Sequence, residues 1–287
     1  MEKKKIKILI KLVGVFIILN IVLIVFFTLI QEKKLKVVFL DVGQGDAFLV
    51  QTPSGKNILI DGGPDRSIVY KLSKYISSNK KKIDLMILSH PDIDHLTGLI
   101  EVLERCQVKT IIYNGVKDNH PYFYEWLRQV KDKNVPVLVV NGKQTIEIED
   151  DVYLDFFWPD QECQGQDFDD DNFYSLVFNL RFKNIKVLFT GDITNKVEEE
   201  LIASQASLDS DILKVSHHGS KSATSLGFLD IVTPDYAVIS VGQDNPFGLP
   251  SYRTIFNLKT KGIKVLRTDR IGDIILESNG EHYNFFQ

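Results

Sequence analysis

Four side chains able to hold a metal ion, His90, Asp92, Asp94 and His95, fall within the hexapeptide HPDIDH. Imidazole nitrogen with carboxylate oxygen suits zinc, manganese or iron, and Asp92, a harder donor than a second imidazole would be there, favours manganese somewhat. The preceding IDLMILS, Ile83 to Ser89, is an apolar run of strand length, so the hexapeptide opens on the loop at its C-terminal end. Open α/β sheets place their chemistry there. The alternative is a solvated turn whose acids cap a helix starting near Leu96; four ligands in phase, with further candidates downstream, outweigh it.

Those further candidates end other apolar runs. NILIDGG leaves Asp61 before two glycines, VLFTGD leaves Asp192, and ILKVSHHGS leaves His217 and His218. Each alone has an ordinary structural explanation: a turn aspartate, a helix cap, a hydrogen-bonded histidine pair. Four strand ends delivering His and Asp to one edge point instead to a metal centre. A carboxylate such as Asp192 is what two cations about 3.5 to 4 Å apart would share.

The elements that must position these groups alternate between short apolar strands and amphipathic stretches, without a repeat of fixed period. Strands are expected at Leu35 to Leu40, Ala47 to Thr52 and Asn57 to Asp61, the last two joined by a PSGK hairpin turn. Helices are expected near Ile68 to Ser77, Gly98 to Cys106, Tyr122 to Lys131 and Ser251 to Lys261. A second strand series covers Thr110 to Tyr113, Val137 to Val140, Val152 to Trp158, Ser175 to Phe182, Ile185 to Thr190, Asp211 to Val215 and Tyr236 to Val241. The pair Ile263 to Leu266 and Gly272 to Glu277 closes the chain. Gln161 to Asn172, with its DFDDDN run, reads as a polar loop whose acids are solvated.

The 287 residues carry 44% hydrophobic side chains, ample for a packed core. Leu12 to Ile30 is a block interrupted only by Gly14, Asn20 and Thr28, about the length that crosses a hydrocarbon core as a helix. Five lysines precede it, which predicts a cytoplasmic N-terminus over residues 1–11, an anchor at 12–30 and one outward-facing domain at 31–287. The rival, a cleaved signal peptide, lacks a small-x-small cleavage site. Without residues 1–30, 29 of the 34 Lys and Arg face 37 of the 38 acids, a net charge of about −8. That balance argues against a broad basic groove for nucleic acid, and the one dense basic run, Lys80 to Lys82, reads as a solvated loop. Outside the cell Cys106 and Cys163 could pair, though nothing in their spacing demands it.

Taken in order, HPDIDH, LIDGG, LFTGD and KVSHHGS resemble the metallo-β-lactamase fold, and specifically the extracellular hydrolase domain of ComEC-type DNA-uptake proteins. FLDVGQGDAFLV, SLVFNL, YAVISVG and RTDRIGDI are similar to that subfamily as well. The resemblance runs from Leu35 to the C-terminus and implies a four-layer αββα sandwich. It implies one or two manganese or zinc ions: His90 and Asp92 on one, Asp94 and His95 on a second, Asp192 between them, and His217 or His218 as a further ligand. Asp61, Asn172 and Ser175 would support the ligands, and Asp94, His217 and His218 would carry catalysis, one histidine acting on the leaving oxygen. The chain departs from the subfamily at NPFGLP, where Leu249 stands at an expected histidine. The resemblance further implies a membrane-anchored phosphodiesterase or nuclease acting on DNA, without an organic cofactor, beside separate channel or uptake proteins, since one span cannot form a channel. The alternatives are a weakened accessory module and a hydrolase of another phosphoester or a lactone.

Overall fold

Strand β1 (Leu35–Phe39) sets the architecture: Val37 and Phe39 enter one buried cluster, while Val38 and Leu40, just beyond the strand, enter another. A strand apolar on both faces has to be covered on both. The computed structural model describes residues 2–30, 33–77, 81–161, 163–165 and 171–287, with side chains of the first segment described at 6, 7 and 11–23. Helix α1 (Glu2–Ile30) is a unit by itself, and Lys34–Gln287 is a second.

After β1 the second unit runs through β2 (Phe48–Gln51), β3 (Asn57–Ile60), α2 (Ser67–Tyr75), β4 (Lys82–Ile83), β5 (Leu85–Leu88), α3 (Ile93–Arg105), β6 (Gln107–Val108), β7 (Ile111–Tyr113), α4 (Pro121–Asp132) and β8 (Val137–Val139). It continues through β9 (Gln144–Glu149), β10 (Val152–Trp158), β11 (Val177–Phe182), β12 (Ile185–Phe189), α5 (Asn195–Ala203), β13 (Ile212–Lys214), α6 (Leu226–Val232), β14 (Tyr236–Ile239), α7 (Tyr252–Thr260), β15 (Lys264–Arg267), α8 (Thr268–Ile271), β16 (Ile274–Ser278) and β17 (Tyr283–Phe286). Two large sheets result, ordered β17-β16-β1-β2-β3-β5-β7-β8 and β15-β14-β13-β12-β11-β10-β9.

The inner faces of both sheets share one cluster, in which Phe48 of the first meets Phe189 of the second at 5.2 Å between ring centroids. The outer face of the first sheet packs on α2, α3 and α4 through Ile68, Leu99 and Trp126. The outer face of the second packs on α5, α6 and α7 through Val197, Phe228 and Leu258. The layers are therefore α, β, β, α, as the resemblance implies.

Parallel pairing then collects strand ends. β3, β5 and β7 run parallel, as do β12, β13, β14 and β15. The loops that follow β3, β5, β12, β13 and β14 leave along one edge, and they carry Asp61, HPDIDH, Asp192, the HHG turn and Ser240.

Helix α3 is docked there through backbone. Gly62 N donates to His95 O at 2.7 Å and Gly98 N to Gly63 O at 3.0 Å. A Cβ at Gly98 would lie 1.9 Å from Gly62 O. Gly98→Ala therefore has to lever the start of α3, with Asp94 and His95 on it, off the Asp61 loop. A loss of about 1–3 kcal/mol is expected from the overpacking, with weakened metal retention; an unchanged melting midpoint and metal content would disprove the docking role.

The structure differs from expectation at several elements. Helix α3 starts at Ile93, inside the hexapeptide, rather than near Gly98. Helices α5 and α6 and strands β9 and β17 were not expected: three consecutive glutamates interrupt the apolar pattern of α5, α6 is only seven residues long, and β9 is mostly polar. Lys80, Glu162 and the 166–170 part of the expected polar loop lie outside the described residues. Among the described residues no helix is long and apolar enough to cross a membrane. The described side chains of α1 stop at Leu23, so the last part of the span expected at 12–30 lies outside them.

Candidate metal centre

Three imidazole Nε2 atoms converge at this edge, those of His90, His95 and His218, each buried and without a hydrogen-bond partner among the described residues. Carboxylates face them off hydrogen-bonding directions. Asp192 Oδ2 lies 3.5 Å from His95 Nε2 and 3.3 Å from His218 Nε2; Asp94 Oδ2 lies 3.1 Å from His218 Nε2, and Asp92 Oδ2 lies 3.6 Å from His90 Nε2. Donor atoms of His90, His95 and Asp192 lie mutually within 4.8 Å, and so do those of Asp94, His95 and His218. Asp92 occupies the N-cap position of α3 but makes no side-chain cap, which leaves its carboxylate to the cleft.

Hydrogen bonds behind the rings fix which nitrogen faces inward. Asp61 accepts from Ser89 N at 2.8 Å, from Ser89 Oγ at 2.7 Å and from His95 Nδ1 at 2.9 Å. Because Ser89 spends its only hydroxyl proton on Asp61, His90 Nδ1, 2.9 Å away, is the donor to Ser89 Oγ. His218 Nδ1 donates to the Ser240 carbonyl at 2.9 Å. All three rings hold a proton on Nδ1 and turn Nε2 inward, the arrangement that supports histidine ligation. Asp61 thus orients two imidazoles, one through Ser89. Replacing it with Ala is expected to weaken metal binding by about 10–100-fold; a titration with unchanged affinity would remove that role.

The charges argue for cations. Burial alone would lower the pKa of His95 and His218, but Asp192 with Asp61 for the first, and Asp192 with Asp46 for the second, hold both well above the ordinary value. Burial alone would raise Asp192, and His218, His95 and Lys214 outweigh it and hold it well below the usual range. Asp46, Asp61, Asp92, Asp94 and Asp192 set five carboxylates against one ammonium, Lys214, leaving four negative charges when the imidazoles are neutral. An excess of carboxylate of this size suits divalent cations. The donor set fits them, and binding would displace protons from the inward nitrogens.

The two histidines of the HHG turn are separated by backbone conformation. His217 and His218 have φ of 48° and 51°, and Gly219, with φ of 83°, follows. This left-handed turn buries His218 among the ligands and leaves His217 half-exposed on the wall, its Nε2 4.0 Å from Asp192 Oδ2 and its Nδ1 unpartnered among the described residues. Ser175 Oγ accepts from Asp192 N at 3.2 Å; Asn172 accepts from Ser175 N with its backbone oxygen, and its buried Oδ1 has no partner among the described residues. Above the ligands opens a cleft of about 460 Å³ whose walls include Asp92, Asp94, His217, Lys221, Phe247 and Leu249.

The family model described as the metallo-beta-lactamase superfamily matches residues 40–243. The chain belongs to that superfamily. It is 27% identical over 252 residues to ComE operon protein 3 of Bacillus subtilis, covering 82% of this chain and 32% of that protein. It is 30% identical over 248 residues to competence protein ComA of Neisseria gonorrhoeae, covering 85% of this chain and 32% of that protein. The chain thus spans about a third of the length of the curated relatives it matches. Igni18, a metallo hydrolase from Ignicoccus hospitalis, is 14% identical with a TM-score of 0.52 over 88% of this chain and 99% of its own, a likeness of fold.

Within this metallo-hydrolase fold, two site residues escaped sequence reasoning. Lys214, the last residue of β13, is fully buried: its Nζ donates to Gly191 O at 2.8 Å, lies 3.3 Å from Asp192 Oδ1, and pairs with Asp46. Asp46, equally buried, also faces His218 Nδ1 at 3.4 Å. The only signals were a lysine inside the apolar ILKVS and an aspartate directly before a buried strand.

Proposed function

We propose that this protein is a membrane-anchored metal-dependent phosphodiesterase whose substrate is nucleic acid, DNA foremost. The observation that carries the reading is the convergence of the His90, His95 and His218 Nε2 atoms on Asp94 and Asp192 at the floor of an open cleft. His90 and Asp92 would hold one ion, Asp94, His95 and His218 another, with Asp192 between them. When bound, manganese or zinc supplies Lewis-acid polarisation and neutralises charge on the phosphate oxygens. Asp94 orients water for attack on phosphorus and the proton of that water passes to solvent in the open cleft; the bond to the leaving oxygen breaks, and His217, at the cleft wall with its Nδ1 unpartnered and its pKa lowered by burial, relays a solvent proton to that oxygen. His218 supplies an imidazole to the converging set although Leu249 offers none, which favours the enzyme over a weakened accessory module.

The test is incubation with single- and double-stranded DNA, RNA and small phosphodiesters, with manganese or zinc and with chelator. Metal-dependent cleavage of nucleic acid is expected, and no cleavage of any of them sinks the reading.

The anchor belongs to the same proposal. Leu12, Phe16 and Ile18 of α1 are exposed, and Asn20 turns its amide onto the Phe16 carbonyl at 2.7 Å, so its donor is met within the helix, as an apolar surround demands. With the lysines of residues 1–11 inside, the hydrolase domain faces outward, beside separate uptake proteins. Protease added to intact cells should digest that domain and spare the first ten residues; a soluble product starting near Glu32 would refute the anchor.

A further inference from the structure

We infer that the rim of the cleft is a stacking ledge for a single strand of nucleic acid, an inference that rests on the reading above. Phe247 lines the cleft and is 69% exposed; beyond the cleft residue Ser251, helix α7 begins with Tyr252, 84% exposed, followed one turn later by Phe256, 52% exposed. The Tyr252 and Phe256 rings stack on each other at 6.2 Å with 26° between their planes. Single exposed apolar residues are ordinary, but an exposed phenylalanine on the wall of a candidate active site, followed by a stacked and exposed aromatic pair that begins one residue past that wall in the chain, is not. They are stiff side chains held out to solvent, and the neighbouring cations are the exposed Lys221 on the cleft wall and Arg253, whose guanidinium donates to the Lys221 carbonyl.

Charge decides the class of occupant. Outside residues 1–30 the chain has 37 acids against 29 Lys and Arg, so a broad basic surface is not what would draw nucleic acid to this cleft. Base faces would, because stacking on aromatic rings is indifferent to net charge and to sequence. A duplex hides those faces; a single strand presents them. Lys221, exposed on the cleft wall, would then meet a backbone phosphate as the strand descends to the ligands.

The experiment uses the full chain in detergent, with chelator to prevent cleavage, and reads anisotropy of three labelled 12-mers: oligothymidine, an abasic strand of equal length, and a duplex. An oligouridine arm separates DNA from RNA. Oligothymidine should bind at least tenfold more tightly than the abasic strand or the duplex, with a shallow salt dependence. The Phe247→Ala/Tyr252→Ala/Phe256→Ala variant should lose that advantage by about tenfold or more, and Tyr252→Phe should keep it. Equal binding of oligothymidine and abasic strand, or an unaffected triple variant, overturns the ledge. So does aromatic-dependent binding to phosphatidylglycerol vesicles in place of the strand. Hydrolysis of bis(4-nitrophenyl) phosphate and of DNA by the unsubstituted protein with manganese tests the underlying reading separately: cleavage without base-dependent binding sinks only the ledge, and binding without cleavage sinks only the enzyme.

Discussion

Asp192→Ala is expected to weaken metal binding by more than about 100-fold, beyond the upper end of what losing a supporting hydrogen bond to a ligand costs, and to take hydrolysis with it. The reason is position. One carboxylate oxygen faces His95 and His218, and the other faces Lys214, so Asp192 serves both imidazoles from a position that Lys214 holds fixed. Stability in chelator should change little, because Lys214 keeps Asp46 and the Gly191 carbonyl as partners. Metal content after dialysis and thermal unfolding with chelator measure the two effects separately. A variant that retains the metal stoichiometry of the parent would exclude Asp192 as a ligand.

Lys214→Met should give the reverse pattern. Removing the ammonium leaves Asp46 and Asp192 buried beside each other without their cation, and breaking a buried pair of this kind costs about 3–5 kcal/mol. For a domain of this size that is a fall of roughly 10 °C in melting midpoint, measured in chelator so that no divalent cation compensates. An unchanged midpoint would mean that the Lys214 charge is not what holds the strand ends together.

How far the site was legible depends on whether its determinants are local in sequence. HPDIDH, Asp61 and Asp192 could be read because each follows a run of apolar strand residues, and parallel pairing brings the ends of such strands to one edge. The layers were legible for the same reason: β1 shows two apolar faces. Lys214 was not legible, since a lysine signals solvent unless its partners are known, and Asp46 reaches it only through the packing of the two sheets. The choice between His217 and His218 was equally hidden. Adjacent residues usually share an environment in a loop, and only the left-handed turn at 217 to 219 sends one ring inward and leaves the other at the wall. Leu249 looked like a lost ligand because the resemblance puts a histidine there; in the fold it lines the cleft, and its backbone is tied to Asn245.

The ligands come from opposite sheets: His90, Asp94 and His95 follow β5 of the first, while Asp192 and His218 follow β12 and β13 of the second. An ion held by both groups is a clasp across the seam, and opening the sandwich requires its release. Loading and folding then become a single equilibrium, worth about 2.7 kcal/mol when free ion stands at 100 times its dissociation constant. Resistance to heat and to proteases would accordingly track the supply of that ion in the surroundings, so that scarcity of metal removes the protein itself as well as its activity.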